Sequence, residues 1–343
     1  MKQPLIRLAK LSDTSAIMQF LHDHYRKNHF LSKNEQLFRY EFQDDDRLNF
    51  GIALDQEELL GVFGFIKYNY SAVPDIAGSL WQVIHSERYP MLGIKLRNFV
   101  IKNVPHLFFA APGANLSTRP IYQSIGMNWN AMQHYYLLNP EKSQFELCDV
   151  ADGIQAEQQR HLFSNLVDMN VRLSKIDSID ALADFPFSDY GAIRPFKDLE
   201  YIKKRFFDYP IYHYDVYVLH VGKELKNIVV CRQVNKQGQS AYRVVDFYGE
   251  ETFMPQIISE LVAVVIEQGN EYLDFISFGF DKQKMIQSGF SLLDYDNESV
   301  IVPHYFEPYV KQNIPVFCVS DRLSGGIFRQ CMADGDQDRP NQY

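Results

Sequence analysis

From Ile6 to Leu11 apolar and polar residues alternate, the two-residue period of a strand covered on one face. Ser12-Asp13 then offers an N-cap ahead of Ala16, Ile17, Phe20 and Leu21, which recur at helical spacing. Asn49–Leu54 and Leu59–Tyr68 read as paired strands across the turn-like Asp55-Gln-Glu-Glu, and Ser79–Ile84 reads as another. A helix is predicted from Leu92 to Asn103, stopped by Pro105. An apolar strand Leu107–Ala111, the loop Pro112–Asn115, a short helix closing at Gly126 and a strand His134–Leu138 complete the sheet. The order β-α-β-β-β-α-β-α-β is a layered α/β plan with a mixed sheet rather than a sandwich or a bundle.

Residues 141–193 carry helical stretches such as Gln155–Leu173 and no chemical motif, and are expected to connect or brace two lobes. From Arg194 the pattern resumes with a helix through Phe206 and strands at Tyr214–Val221, Asn227–Val234 and Tyr242–Tyr248. A helix Met254–Gln268, a strand Tyr272–Phe278 and a short helix ending at Gly289 follow. This repeats the first half in coarse order. Tyr122-Gln-Ser-Ile-Gly-Met and Ile286-Gln-Ser-Gly-Phe occupy matching places, each after a strand and a short helix. The expected division is a lobe at 1–140, a helical connector at 141–193 and a second lobe at 194–343 that ends in a polar tail.

A chain of 343 residues suits two such lobes, and 46% apolar with 14% aromatic residues supplies both cores. The longest apolar run, Ile257–Ile266, is interrupted by Glu260 and falls short of the roughly 20 residues of a membrane span. The N-terminus runs directly into a strand pattern without an apolar signal region, so a cytoplasmic location is expected. Cys148, Cys231, Cys318 and Cys331 are widely spaced and form no metal pattern, which favours free thiols. A net charge of −9 disfavours nucleic acid as a partner. The acidic tail Asp334-Gly-Asp-Gln-Asp-Arg-Pro-Asn341 lacks the register of a calcium loop, so no metal is expected.

The chemistry lies in two segments of the first half. Arg88-Tyr-Pro-Met-Leu-Gly93 falls at a strand-to-helix turn, where free backbone N–H groups and a helix N-terminus suit a pyrophosphate. Arg88 and Gly93 match the ends of the Gln/Arg-x-x-Gly-x-Gly/Ala loop of the GNAT (Gcn5-related N-acetyltransferase) superfamily, with Met91 in place of the middle glycine. Leu107-Phe-Phe-Ala-Ala-Pro-Gly-Ala-Asn115 and Ile121-Tyr122-Gln-Ser-Ile-Gly126-Met127 resemble the later strand, asparagine and Tyr-x-x-x-Gly-Phe ending of the same superfamily. The resemblance implies two tandem GNAT-like lobes, with acyl-CoA, acetyl-CoA above all, as co-substrate of the first. It places the donor on Gln82, Val83, Ile84, Arg88, Met91, Leu92, Gly93, Ile94 and Asn115.

A phenol of pKa about 10 suits protonation of a departing thiolate, and Tyr122 stands in the family's place for that role. His29, His85 and Glu87 are the candidates to deprotonate an attacking amine, although Asn28-His29 also suits a helix cap. In the second half Gly249-Glu-Glu puts carboxylates where a phosphate would sit, and Met285 replaces the tyrosine, so that lobe is expected to be degenerate. Val302-Pro-His-Tyr-Phe-Glu-Pro-Tyr309 and the acidic tail resemble tandem GNAT-like proteins of bacterial surface-polysaccharide and nucleotide-sugar biosynthesis. The expected activity is therefore N-acylation of a small polar acceptor, with an amino sugar, free or nucleotide-linked, as the leading class. A Fem-like enzyme with an aminoacyl-tRNA or acyl-carrier-protein donor, and an inactive binding pair, are the alternatives.

Overall fold

The computed structural model describes residues 3–341 apart from 86, 156–157 and 159–169. Its first lobe runs β1 (Leu5–Lys10), α1 (Thr14–Phe20), α2 (Phe30–Lys33), α3 (Glu35–Phe42), β2 (Arg47–Asp55), β3 (Glu58–Lys67) and β4 (Asp75–Val83). There follow α4 (Leu92–Asn103), β5 (Phe108–Pro112), α5 (Arg119–Ser124), β6 (Asn128–Ala131) and β7 (Gln133–Leu138). The second lobe contains β8 (Val171–Ile176), α6 (Leu199–Ile202), β9 (Asp215–Val221), β10 (Glu224–Lys236) and β11 (Gln239–Gly249). It continues through α7 (Met254–Glu267), β12 (Tyr272–Phe278), α8 (Lys282–Gln287), β13 (Ser291–Leu292), β14 (Phe317–Ser320) and β15 (Gln330–Cys331).

Two eight-stranded mixed sheets result, one for each of two tandem α/β lobes. The first has the order β1-β2-β3-β4-β5-β14-β6, with the two-residue strand Gln43–Asp44 beside β2. The second has the order β8-β9-β10-β11-β12-β7-β13, with β15 on β12. Both sheets are covered on both faces, which explains strands of near-continuous apolar character rather than clean alternation. In β5, for example, Phe108 and Ala110 join one apolar cluster while Phe109 and Ala111 join another.

Each sheet holds a strand from the other half of the chain. His134–Leu138 does not complete the first sheet: β7 pairs antiparallel with β12 and β13 of the second. After Gln133 and His134 its residues are all apolar, Tyr135 and Leu137 on one side, Tyr136 and Leu138 on the other, which fits a strand buried on both faces. Its place in the first sheet is taken by β14, which lies between β5 and β6. The second sheet also starts earlier than expected. Val171–Leu173, read as the end of a helix, belongs to β8, which pairs with β9; most of the remainder of that expected helix lies outside the described residues.

The polar C-terminal tail is an interior element. Asp338 is fully buried and pairs with Arg205 at 3.0 Å and Arg232 at 2.7 Å. Arg339 pairs with Glu41 of α3 at 3.0 Å, and Lys197 joins Asp246 and Asp334 at 2.7 and 2.6 Å. An apolar cluster spans both lobes around these pairs, from Ile17, Phe38 and Phe50 to Tyr201, Phe206, Val216 and Ile228. The four cysteines are buried free thiols, and no helix of the described residues is long and apolar enough to cross a membrane.

Because strands cross between sheets, a fragment of residues 1–140 lacks β14, and β5 and β6 lose their shared partner. That fragment is expected to be unfolded by circular dichroism, and the full chain to unfold in one transition. Asp338→Asn leaves two buried guanidinium groups short of a counter-charge and is expected to cost about 3–5 kcal/mol in urea titration. A folded 1–140 fragment would contradict the interdependence of the lobes.

Candidate functional site

The site begins where two parallel strands part. β4 and β5 pair only at Asp75–Ala77 with Phe108–Ala110. Three residues further on, Leu80 takes a left-handed conformation, φ 51°, while fully packed at 3% exposure. The register against β3 shifts at the same place, from Gly64 opposite Ser79 to Val62 opposite Gln82, so β4 carries one residue more than its partner. This is a β-bulge. It reverses which residues face which side: Ala77 and Leu80 share the interlobe cluster, whereas Trp81 and Val83 face the α4 side. Beyond it the two strands diverge.

The divergence opens a cleft of about 680 Å³ lined by Ser79–His85, Tyr89–Ile94, Ala111–Asn115, Ile121 and Tyr122, with Tyr25 and Asp336 also on its wall. Ile84 N–H donates to Leu60 O at 2.8 Å, which fixes that residue's backbone toward β3. By strand alternation the N–H and C=O of Val83 turn the other way, into the gap. Opposite lies the N-terminus of α4. Its first described intrahelical bond there is Lys95 N–H to Met91 O, 3.0 Å, and Met91 makes no side-chain cap, so the N–H groups of Leu92, Gly93 and Ile94 have no helical acceptor.

Met91 stands where the resembled loop has a glycine and keeps a glycine-like backbone, φ 58°, with its side chain 65% exposed. A non-glycine residue held left-handed costs roughly 1–2 kcal/mol, a strain of the kind found at binding loops. Gly93 serves close packing: a Cβ there would come within 3.3 Å of Trp81 Nε1. Trp81 in turn meets the ring of Tyr122 edge-on at 5.8 Å.

Tyr122 is 4% exposed, and its hydroxyl makes no hydrogen bond among the described residues. Burial pushes the phenol up to about 12, against the opposing field of Arg97, so it carries its proton at neutral pH. Asn115 caps the turn before α5 through Oδ1, which accepts from Ser117 N–H at 2.9 Å. Gln82, Val83 and Ile84 all line the cleft.

The remaining expected residues are placed differently. Arg88 is absent from the cleft lining; its guanidinium pairs with Asp55 at 2.8 Å, beside the Tyr89 hydroxyl, which donates to the same carboxylate. His85 is exposed on the cleft wall. His29 is buried behind Tyr25, whose ring it meets at 5.4 Å, and its Nδ1 accepts from Leu31 N–H as the N-cap of α2. Trp81, Tyr25 and Ser79 escaped sequence reasoning, and Asp336 reads there only as part of the acidic tail, whose Asp, Arg and Asn side chains suit sugar hydroxyls or an amino group. Trp81 was legible as the neighbour of Gln82 on an alternating strand, but nothing local ties Asp336 to Ser79, 257 residues away.

The corresponding gap in the second lobe is filled. β11 and β12 also pair in parallel over only three residues, Tyr242–Val244 with Leu273–Phe275. There the chain's own β15 pairs with Ser277 and Phe278 of β12 and occupies the space between the strands. Arg329 donates to Gly249 O at 3.3 Å, pairs with Glu251 and lies over the Phe280 ring. Met285, in the place of Tyr122, is fully buried. Among the described residues no cluster of three His, Cys, Asp or Glu side chains is arranged to hold a metal ion.

This pairing of a parting parallel strand pair with a helix N-terminus, set in a mixed sheet and repeated in tandem, is the fold of the GCN5-related N-acetyltransferases. One solved structure of this kind, a GCN5-related N-acetyltransferase from Anabaena variabilis, superposes over 92% of this chain and 72% of its own, with TM-score 0.56 and 9% identity. A conserved protein of unknown function from Enterococcus faecalis, a candidate N-acyltransferase, superposes over 93% and 72%, with TM-score 0.53 and 8% identity. No protein-family model matches the chain. No curated protein matches it in sequence.

His29 allows a test of this local geometry. Burial lowers its pKa, with Asp336 partly offsetting and Arg26 reinforcing the shift. Its contribution is therefore present above the unfolded value of about 6.5 and is lost as pH falls through the lower folded value. His29→Asn keeps a capping acceptor without the titration. The stability lost between pH 7.5 and 5.5, read from urea midpoints, is expected to be smaller in the variant than in the wild type. An identical loss would remove His29 from the buried position described.

Proposed function

We propose that the chain is an acyl-CoA-dependent N-acyltransferase working through its first lobe. The observation that carries this reading is the bulged, parting strand pair β4 and β5, which opens onto the free N–H groups of α4 and the unbonded hydroxyl of Tyr122. Three roughly parallel N–H donors at a helix N-terminus suit a pyrophosphate, with Met91, Leu92, Gly93 and Ile94 forming the cradle. Arg88 adds positive potential at its rim rather than a contact inside it. The pantetheine arm would run between Gln82–Ile84 and Ala111–Asn115, exchanging amide hydrogen bonds with the backbone of Val83, whose carbonyl accepts only from the Gln82 side-chain amide, at 3.1 Å, among the described residues.

In the reaction the acceptor nitrogen attacks the thioester carbonyl, and the C–N bond forms as the carbonyl electrons move onto oxygen. Collapse of the tetrahedral intermediate breaks the C–S bond, and Tyr122 gives its proton to the departing sulfur. The nitrogen loses a proton to His85 or to water, and Tyr122 is reprotonated from solvent, so the net products are an amide and free CoA. His85 is favoured over His29 as the base, because His29 spends Nδ1 on a helix cap. The acceptor is taken to be the amine of a small polar molecule, with an amino sugar or its nucleotide-linked form as the leading class. The net charge of −9 weighs against an aminoacyl-tRNA donor.

Two substitutions test this. CoA at a hundredfold excess over Kd is expected to stabilise the wild type by about 2.7 kcal/mol, and Gly93→Asp to abolish the thermal shift by crowding Trp81 and adding a negative charge at the N-terminus of α4. Equal stabilisation of both proteins would move the donor elsewhere.

Tyr122→Phe keeps the ring against Trp81 and removes the proton. It is expected to lower kcat by about 10²–10⁴-fold with CoA affinity unchanged. Wild-type turnover across the pH range would take Tyr122 out of the chemistry.

A further inference from the structure

One carboxylate of the C-terminal tail is left out of its ion pairs. Asp334 is held by Lys197, and Asp338 by Arg205 and Arg232. Asp336, between them, meets no cation within ion-pair distance among the described residues, and its one side-chain hydrogen bond, from Ser79 Oγ, is long at 3.4 Å. Arg26, the cation whose field reaches this corner, is exposed and outside that range.

The position is nonetheless rigidly built. Arg339 Nη1 donates to Gly335 O at 2.7 Å, and Asn341 Nδ2 to Asp336 O at 2.9 Å. The Gln337 amide fills the space where a Cβ on Gly113 would stand, 2.0 Å away, and Gly113 holds φ +68°. Neighbours on both sides are thus anchored in the lobe interface, and the tail is seated on the end of β5. The carboxylate is fixed on the cleft wall beside Ser79, just before the bulge, together with Tyr25.

A half-buried carboxylate held without a counter-charge pays for desolvation without return. The hydroxyls around it do not neutralise it: burial and the field of Asp336 together raise the pKa of Tyr25. What this corner lacks is a cation of the ligand's own. Leu80, next to Ser79, and Ala333, three residues before Asp336, belong to the interlobe cluster, whereas Trp81 and Tyr122 belong to the cluster on the α4 side, so a molecule held here would approach a bound thioester from the side away from α4.

We propose that Asp336 is the acceptor-recognition residue of the cleft, and that the acceptor is a small primary amine that binds as a cation with its ammonium paired to this carboxylate. The inference rests on the acyl-CoA reading of the same cleft and narrows it. A free amino sugar or a polyamine carries the required charge; a nucleotide-linked amino sugar brings phosphates that Asp336 repels. The ammonium gives up its proton to His85 or water before the nitrogen attacks, and Asp336 acts by holding the nitrogen in place.

The test uses the full chain, acetyl-CoA, and glucosamine, spermidine and UDP-glucosamine as probes, reading thiol release and the CoA-induced thermal shift. The wild type is expected to acylate glucosamine or spermidine in preference to UDP-glucosamine. Asp336→Asn, nearly isosteric, is expected to keep the CoA shift and raise KM for the amine about 10–100-fold; Asp336→Ser serves if the asparagine variant does not fold. A wild-type KM in a variant that still shows the shift overturns the inference. So does preference for UDP-glucosamine, or a wild type that is stabilised by CoA but acylates neither cationic probe. A wild type that neither responds to CoA nor transfers acetyl groups overturns the donor reading and this inference together.

Discussion

The structure depends on an exchange of two strands. β7 leaves the first half of the chain to sit between β12 and β13, and β14 returns from the C-terminal region to sit between β5 and β6. Each sheet therefore satisfies its buried backbone only when the other half is present. The exchange also sets the path of the segment that follows β14. Having placed β14 beside β5, the polypeptide is carried back past β12 as β15 and then along the lobe interface, where Arg205, Arg232, Lys197 and Glu41 each take a charge from residues 334–339.

Two consequences for the clefts follow from that path. In the second lobe the returning segment occupies the opening between β11 and β12, with Arg329 bound to Gly249 and Glu251 and Phe280 packed beneath it. In the first lobe the same segment stops at the edge of the opening and adds Asp336 to its wall. One cleft is sealed and the other completed by a single stretch of chain. The asymmetry between the lobes thus has a mechanical origin in addition to the loss of Tyr122 and of the glycine-bearing loop from the second copy.

Much of this was legible in the sequence wherever the signal was local. The strand-to-helix turn at Arg88–Gly93, the short helix of Tyr122 and the coarse repetition of the halves rest on periodicity and punctuation within a few residues of each other. The partner of a strand is not written locally. Gln133–Leu138 reads as a strand in either sheet, and only the apolar character of both its faces hints at a central position. The tail misleads for a similar reason: a run of aspartates signals solvent unless the arginines that bury it are known, and these lie more than 100 residues away. Arg88 shows the converse limit, since a motif match fixes a residue's place on the chain but not the carboxylate of Asp55 that its side chain meets.

The central claim is that this chain offers one donor cleft, open in the first lobe and closed in the second. Native mass spectrometry of the full chain with CoA measures this most directly. The account predicts a single CoA bound per chain at saturation. Two equivalent CoA molecules per chain, or none at concentrations far above those of ordinary acyl-CoA enzymes, would contradict it.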